Sequence, residues 1–144
     1  MGKLQGEVMY YYPNGKLQGR EYWEEGVLMD SAFYFYQNGA LEKKGVYEDG
    51  QYSGCWLYYY EQGTLFRFVN YLKGLPEGKT KVLNENGIRV QEGFYKKGME
   101  DGEWKFYNDE GNLTMSGAYT EGKRSGIWYR YDRKGNKKTM RLKN

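Results

Sequence analysis

Residues 102–125 read GEWKFYNDEGNLTMSGAYTEGKRS, and the same 24-residue spelling recurs from one end of the chain to the other. Gly15, Gly39, Gly63, Gly87, Gly111 and Gly135 form one column at that spacing. A second column runs Gly26, Gly50, Gly74, Gly98 and Gly122, with Gly2 in register. A third holds Gly6, Gly54, Gly78, Gly102 and Gly126, with Asp30 in the one remaining place. No insertion or deletion interrupts any column. A fixed period of this length is the signature of a repeat architecture.

Counting from the first Gly of each unit, the sixth place holds Tyr11, Phe35, Tyr59, Leu83, Tyr107 and Tyr131. Leu stands at the twelfth place in Leu17, Leu41, Leu65 and Leu113, and a ring at the eighteenth in Trp23, Tyr47, Tyr71, Tyr95 and Tyr119. Two turn signals separate these places. The first reads Tyr-Pro-Asn-Gly at 12–15 and ends on Gly in every copy, which predicts a type I turn closed by a Gly bulge. The second is a Gly-x-x-x-Gly stretch such as Gly122–Gly126, read as a loop with Gly at both ends.

Each unit is therefore strand, turn, strand, turn. The fold class is all-β: an elongated, single-sheet antiparallel meander of six 24-residue hairpin repeats. Residues 1–144 form one array, with units starting near 6, 30, 54, 78, 102 and 126, the last incomplete. At about 4.8 Å per strand, eleven or twelve strands make a twisted ribbon roughly 55 Å long.

Turn geometry sets register, and register sorts side chains by face. If Tyr12 pairs with Lys16, Tyr11 lies opposite Leu17 and Tyr107 opposite Leu113. The sixth, twelfth and eighteenth places are then expected on one face, as a packing spine. The third and fifth places are expected on the other: Val8/Tyr10, Ala32/Tyr34, Trp56/Tyr58, Thr80/Val82, Trp104/Phe106 and Trp128/Arg130.

Composition limits the chemistry. Aromatic residues make up 19% of the chain, too many for a disordered segment. There is no His, so a His-based catalytic triad or dyad is excluded, and the single Cys55 excludes an internal disulfide framework. Cys55 reads as a covered, inert thiol. Carboxylate pairs such as Glu24/Glu25 and Asp109/Glu110 fall at turns, where acidic residues are ordinary solvated positions. The expectation is no enzyme, no cofactor and no metal. A net charge of +3 calls for no nucleic-acid partner. No apolar run approaches the length of a membrane helix, so the chain reads as soluble and, by default, cytoplasmic. Because the first copy starts mid-unit, a removed N-terminal signal, with export or membrane association, stays open as the alternative.

Two candidate sites emerge. Trp56, Trp104 and Trp128 share a column, with Tyr58 and Phe106 beside two of them. Either these rings pack on one another as the sheet curls, or they form a patch for a partner, since Trp and Tyr present large rigid area at little entropic cost. The second candidate is a basic end: Arg130, Arg133, Lys134, Lys137, Lys138, Arg141 and Lys143 against Asp132 alone, a net of +6 within residues 126–144. A Lys-rich end protects a sheet edge from aggregation, or it contacts an acidic protein or anionic lipid headgroups.

The unit Gly-x-Trp-x-x-Tyr-x-x-x-Gly-x-Leu-x-x-x-Gly-x-Tyr-x-x-Gly-x-x-x resembles the MORN repeat, closest to the bacterial MORN-variant form, whose members are often labelled YwqK-family antitoxins of toxin–antitoxin systems. Departures are Asp30, Glu21 and Val69 at places otherwise held by Gly, and the aromatic-poor strand Thr80–Leu83; they are expected to weaken individual hairpins. The resemblance implies an antiparallel β-meander and a role in protein or membrane association. MORN repeats also occur beside lipid-kinase domains, but no Gly-rich phosphate loop with a downstream Lys and metal-binding Asp is visible here. The expected partner is another protein, a cognate toxin under the antitoxin label. Cell-wall glycan or choline is the alternative, since choline-binding repeats also carry Gly, Trp and Tyr on hairpins at a period nearer 20 residues. Anionic lipid is a third.

Overall fold

In the computed structural model, which describes residues 2–140, every regular element is a strand. They are β1 (Gly6–Tyr11), β2 (Leu17–Glu24), β3 (Val27–Phe35), β4 (Leu41–Glu48), β5 (Gln51–Tyr59), β6 (Leu65–Leu72), β7 (Leu75–Leu83), β8 (Arg89–Lys96), β9 (Met99–Tyr107), β10 (Leu113–Thr120), β11 (Lys123–Tyr131) and β12 (Lys137–Met140). They form one 12-stranded antiparallel sheet whose spatial order is the chain order. This is the meander that the glycine columns require.

The first turn of each unit is as expected. Gly15 N–H donates to Tyr12 O and Tyr12 N–H to Lys16 O, both at 2.9 Å, and Gly15 sits at φ +86°. Tyr11 then opposes Leu17, and Tyr107 opposes Leu113. The residue after that Leu has no partner, however. Phe35 pairs Leu41 and Tyr34 pairs Lys43, so Glu42 is an extra residue, as are Gln18, Phe66, Val90 and Thr114 in their units. A one-residue bulge reverses the facing of everything beyond it. The eighteenth-place rings therefore do not join the sixth and twelfth places. They lie with the third and fifth: Tyr47 packs on Trp56, and Tyr119 on both Trp104 and Trp128. The sheet has a tryptophan face and a leucine face, and the deepest core lies on the former.

The second turn differs from the expected loop. It is only two residues long, such as Glu121–Gly122, both at positive φ (48° and 81°), which is a type I′ hairpin turn. The Gly that follows four residues later, Gly126, lies inside β11 at φ +64°. There it forms a second bulge, with Gly117 facing the three residues from Gly126 to Trp128. Asp30 takes the same left-handed conformation at φ 59°, so the one departure in this column keeps the bulge.

Both margins of the sheet are stitched between units. Along the second-turn margin, the Gly26, Gly50, Gly74, Gly98 and Gly122 N–H groups donate to Leu4, Leu28, Tyr52, Pro76 and Glu100 carbonyls. Along the first-turn margin, the Tyr12, Tyr36 and Tyr60 hydroxyls donate to the Phe35, Tyr59 and Leu83 carbonyls of the next unit. From the fourth unit onward the same place holds Asn84, Asn108 and Asp132, whose side chains accept N–H groups of their own turns; Asn84 Nδ2 also donates to the Asp109 carbonyl of the next unit at 3.2 Å.

Candidate functional site

The bulge at Gly54, Gly102 and Gly126 aims the next Trp back across its neighbouring strand. Trp56, Trp104 and Trp128 are 0%, 1% and 0% exposed. Each indole lies flat over a glycine eleven residues earlier, Gly45, Gly93 or Gly117, where a Cβ would stand 2.1 Å from the ring. Each indole N–H donates to the carbonyl after that glycine: Val46 at 3.0 Å, Phe94 at 3.1 Å, Ala118 at 3.0 Å. The tryptophans are thus core, closed over by Tyr47, Tyr52, Tyr95, Phe106 and Tyr119. As rings available to a partner they have no free area in this structure, because the bulge turns them into the sheet.

The pairing of Trp with Gly explains the departures. Where Glu21 replaces the glycine, the residue eleven on is Ala32; where Val69 replaces it, that residue is Thr80. Val69 and Thr80 are direct cross-strand partners, and Thr80 Oγ1 donates to Phe68 O at 2.7 Å. A large ring over Gly and a small residue beside a larger one fill the same space. The hairpins expected to be weak are differently packed.

Tyr58 and Phe106, at the fifth place, are only half-buried. They belong to a row of directly opposed residues crossing the tryptophan face: Tyr34, Lys43, Tyr58, Arg67, Val82, Gln91, Phe106, Met115 and Arg130. In its first half rings and cations alternate. The Lys43 ammonium lies 5.0 Å from the Tyr34 ring centre and the Arg67 guanidinium 4.7 Å from that of Tyr58. Neither cation forms an ion pair among the described residues. Tyr34 and Tyr58 share hydrogen bonds of 2.8 Å with Tyr47 and Tyr71, and Tyr34 also donates to Glu21. Lys43 and Arg67 escaped the sequence reading. The signal is a cation nine residues after a fifth-place ring, which has meaning only once the bulge after Leu places both on one face.

Burial, then these hydrogen bonds, raise the Tyr34 and Tyr58 phenols well above their ordinary range. On the leucine face, burial and then the Glu92 carboxylate push Tyr107 up to about 12. A phenol held neutral by the fold stabilises it below the unfolded value of 10.0 and stops doing so as pH rises through the folded value. Stability should therefore fall as pH is raised from 10 toward 12, because the unfolded chain there binds fewer protons. Far-UV circular dichroism and phenolate absorbance check this together. A Tyr34→Phe/Tyr58→Phe variant should show a shallower decline, and full phenolate formation before any loss of structure would contradict it.

At the basic end, Arg130, Arg133, Lys134, Lys137 and Lys138 are exposed; Arg141 and Lys143 lie outside the described residues. Asp132 accepts N–H groups from Lys134 and Asn136, which hold its carboxyl below the usual range. Lys137 Nζ sits 3.8 Å from the Tyr129 ring centre. Cys55 is exposed and not covered as expected, because it points to the leucine face while Trp56 turns inward; desolvation still raises its pKa.

Two stretches, residues 4–25 and 100–120, match the family model of the MORN repeat variant. They cover the β1–β2 hairpin and all but the first residue of the β9–β10 hairpin. Both stretches are similar to the MORN repeat variant, and each covers most of one unit of the 24-residue array. No curated protein matches it. MORN repeats are in general noncatalytic interaction or binding modules, and the second matched stretch contains both members of the Trp104–Phe106 pair and the Gly117 that receives Trp128.

Proposed function

We propose that this MORN-variant array is a noncatalytic protein-interaction scaffold, and that its binding surface is the ring-and-cation row of the tryptophan face. The observation that supports this is the alternation Tyr34, Lys43, Tyr58, Arg67 in direct register, with no carboxylate among the described residues paired to either cation. Such a row suits an extended acidic segment of another protein: carboxylates meet the cations and apolar side chains lie on the rings. A cognate toxin would be one such partner, in keeping with the antitoxin label of similar chains.

The choline or glycan reading is less favoured. An aromatic cage needs an open centre, whereas Tyr47, Tyr52, Trp56 and Tyr71 pack with ring centres 4.0–5.3 Å apart and fill that space themselves. Affinity capture from the native extract separates the readings, with a Lys43→Glu/Arg67→Glu variant as control. The expected result is a protein bound by the parent and lost from the variant. Identical captured proteins on both would sink the proposal, as would saturable choline or muropeptide binding without any captured protein. Replacing the three tryptophans would test folding instead, since they are core.

A further inference from the structure

The ring-and-cation row has a pitch. It crosses the strands and changes from ring to cation at each one: Tyr34 on β3, Lys43 on β4, Tyr58 on β5 and Arg67 on β6. Strands stand about 4.8 Å apart, so ring follows ring, and cation follows cation, after about 9.6 Å. Each cation leans onto the ring of the strand before it, 5.0 Å and 4.7 Å from its centre, so the two ring-and-cation pairs repeat one arrangement. The repeat stops at β7 and β8, where Val82 and Gln91 take the next places. Every strand from β3 to β6 is hydrogen-bonded on both sides, so a partner meets side chains alone and cannot add as a strand. The two cations differ in what they still have to offer. Lys43 Nζ donates to the Tyr52 hydroxyl at 3.1 Å, whereas Arg67 Nε is buried with no acceptor among the described residues.

We propose that the occupant of this row is a polyproline II segment of another protein with an acidic residue at every third position. This rests on the scaffold reading of the same row and gives its partner a defined shape. A polyproline II helix turns once in three residues and rises about 3.1 Å per residue, so equivalent side chains recur after about 9.3 Å. That matches the row to within about 0.3 Å per repeat. An extended strand presents one side every two residues, about 6.6 Å, and falls about 3 Å short. An α-helix advances about 5.4 Å per turn, so it overshoots by about 0.6 Å at each strand and about 1.8 Å between Tyr34 and Arg67. The polyproline II backbone has no internal hydrogen bonds and stays solvated, so it lies on side chains without losing any. Carboxylates at that pitch meet Lys43 and Arg67 in turn, and the prolines between them lie on the Tyr34 and Tyr58 rings. Arg67 is the stronger anchor, because its planar fork takes a carboxylate through two N–H groups while Lys43 is partly committed to Tyr52.

Peptides of equal charge separate the geometries. One is a run of Pro-Pro-Glu repeats. The second is a proline-rich peptide with the same number of Glu at alternate positions, and the third an alanine-rich helix with that number along one face. By fluorescence anisotropy of labelled peptides, the first should bind the parent chain at least about tenfold more tightly than either of the others. Lys43→Gln and Arg67→Gln should each weaken that binding, Arg67→Gln by about tenfold or more, while Lys134→Gln at the basic end should leave it unchanged. Circular dichroism checks the fold of the variants, and the ranking of the peptides needs only the parent. Equal affinity for the two proline-rich peptides would overturn the proposal, as would tightest binding by the helix. So would an absence of saturable binding by the Pro-Pro-Glu repeats, or binding indifferent to both Lys43→Gln and Arg67→Gln. Any of these beside a captured protein that Lys43→Glu/Arg67→Glu loses would reject this partner and keep the scaffold; if capture fails as well, both fall.

Discussion

Gly93→Val should destabilise the array by about 3 kcal/mol or more, and the same substitution should cost almost nothing in a chain that already carries Trp104→Thr. Gly93 is in ordinary extended backbone, so Val has no conformational objection there; the obstacle is the Trp104 indole, 2.1 Å from where the Cβ would stand. The ring cannot withdraw without exposing its area and breaking the bond to Phe94 O. Overpacking of a fixed core typically costs about 1–3 kcal/mol, and a contact this short lies at or beyond the upper end. Trp104→Thr by itself should cost about 3–5 kcal/mol through the lost ring. With both changes the site becomes the combination that Val69 and Thr80 already form. Urea unfolding of the four proteins in a double-mutant cycle should give a coupling of about 2 kcal/mol or more in favour of the pair. Equal penalties for Val in both backgrounds would show that the ring and the glycine are not interlocked.

Deletion of Glu42 should be as damaging, by about 4 kcal/mol, while Glu42→Thr should stay within about 0.5 kcal/mol of the parent. Glu42 has no cross-strand partner, so strand pairing of its own does not explain the difference. Its presence as an extra residue does. Without it Lys43, Gly45 and Tyr47 move to the leucine face: Trp56 loses the glycine it covers and Tyr47 its buried position. Thr114 fills the same place in the fifth unit, so Thr is compatible with the bulge. Thermal melts followed by circular dichroism and Trp fluorescence would distinguish the two. A deletion variant that melts with the parent would mean the strand re-registers at no cost.

The architecture was legible because turn glycines are a backbone requirement. Gly15 and its equivalents announce the hairpins directly, and Leu113 opposite Tyr107 follows from turn geometry alone. Which face carries the core was not legible. That depends on the unpaired residue after each Leu, whose identity varies from Gln18 to Phe66 to Thr114 and so carries no residue-type signal. Once the eighteenth-place rings change sides, the tryptophan column, open in the sequence between packing and partner binding, becomes the best-buried part of the described residues. The real clue was relational: Trp appears where Gly stands eleven residues earlier, and Ala32 or Thr80 appears where it does not. The ring-and-cation row was hidden for the same reason, since Lys43 and Tyr58 become neighbours only after the bulge.

The two rows of stitches have an elastic consequence. In the first half of the chain, both hems are sewn to the next unit, one by glycine amides and the other by the Tyr12, Tyr36 and Tyr60 phenols. Asn84 still donates to the Asp109 carbonyl of the following unit, so only at the last junction, at Asn108, is this hem tied to its own turn alone among the described residues. A strip sewn along both hems resists flaring, whereas one sewn along a single hem can fan open about it. The array should therefore be a stiff strip with one more pliant end, its last unit able to adjust its angle while the hem that carries Leu75 and Met99 keeps its spacing.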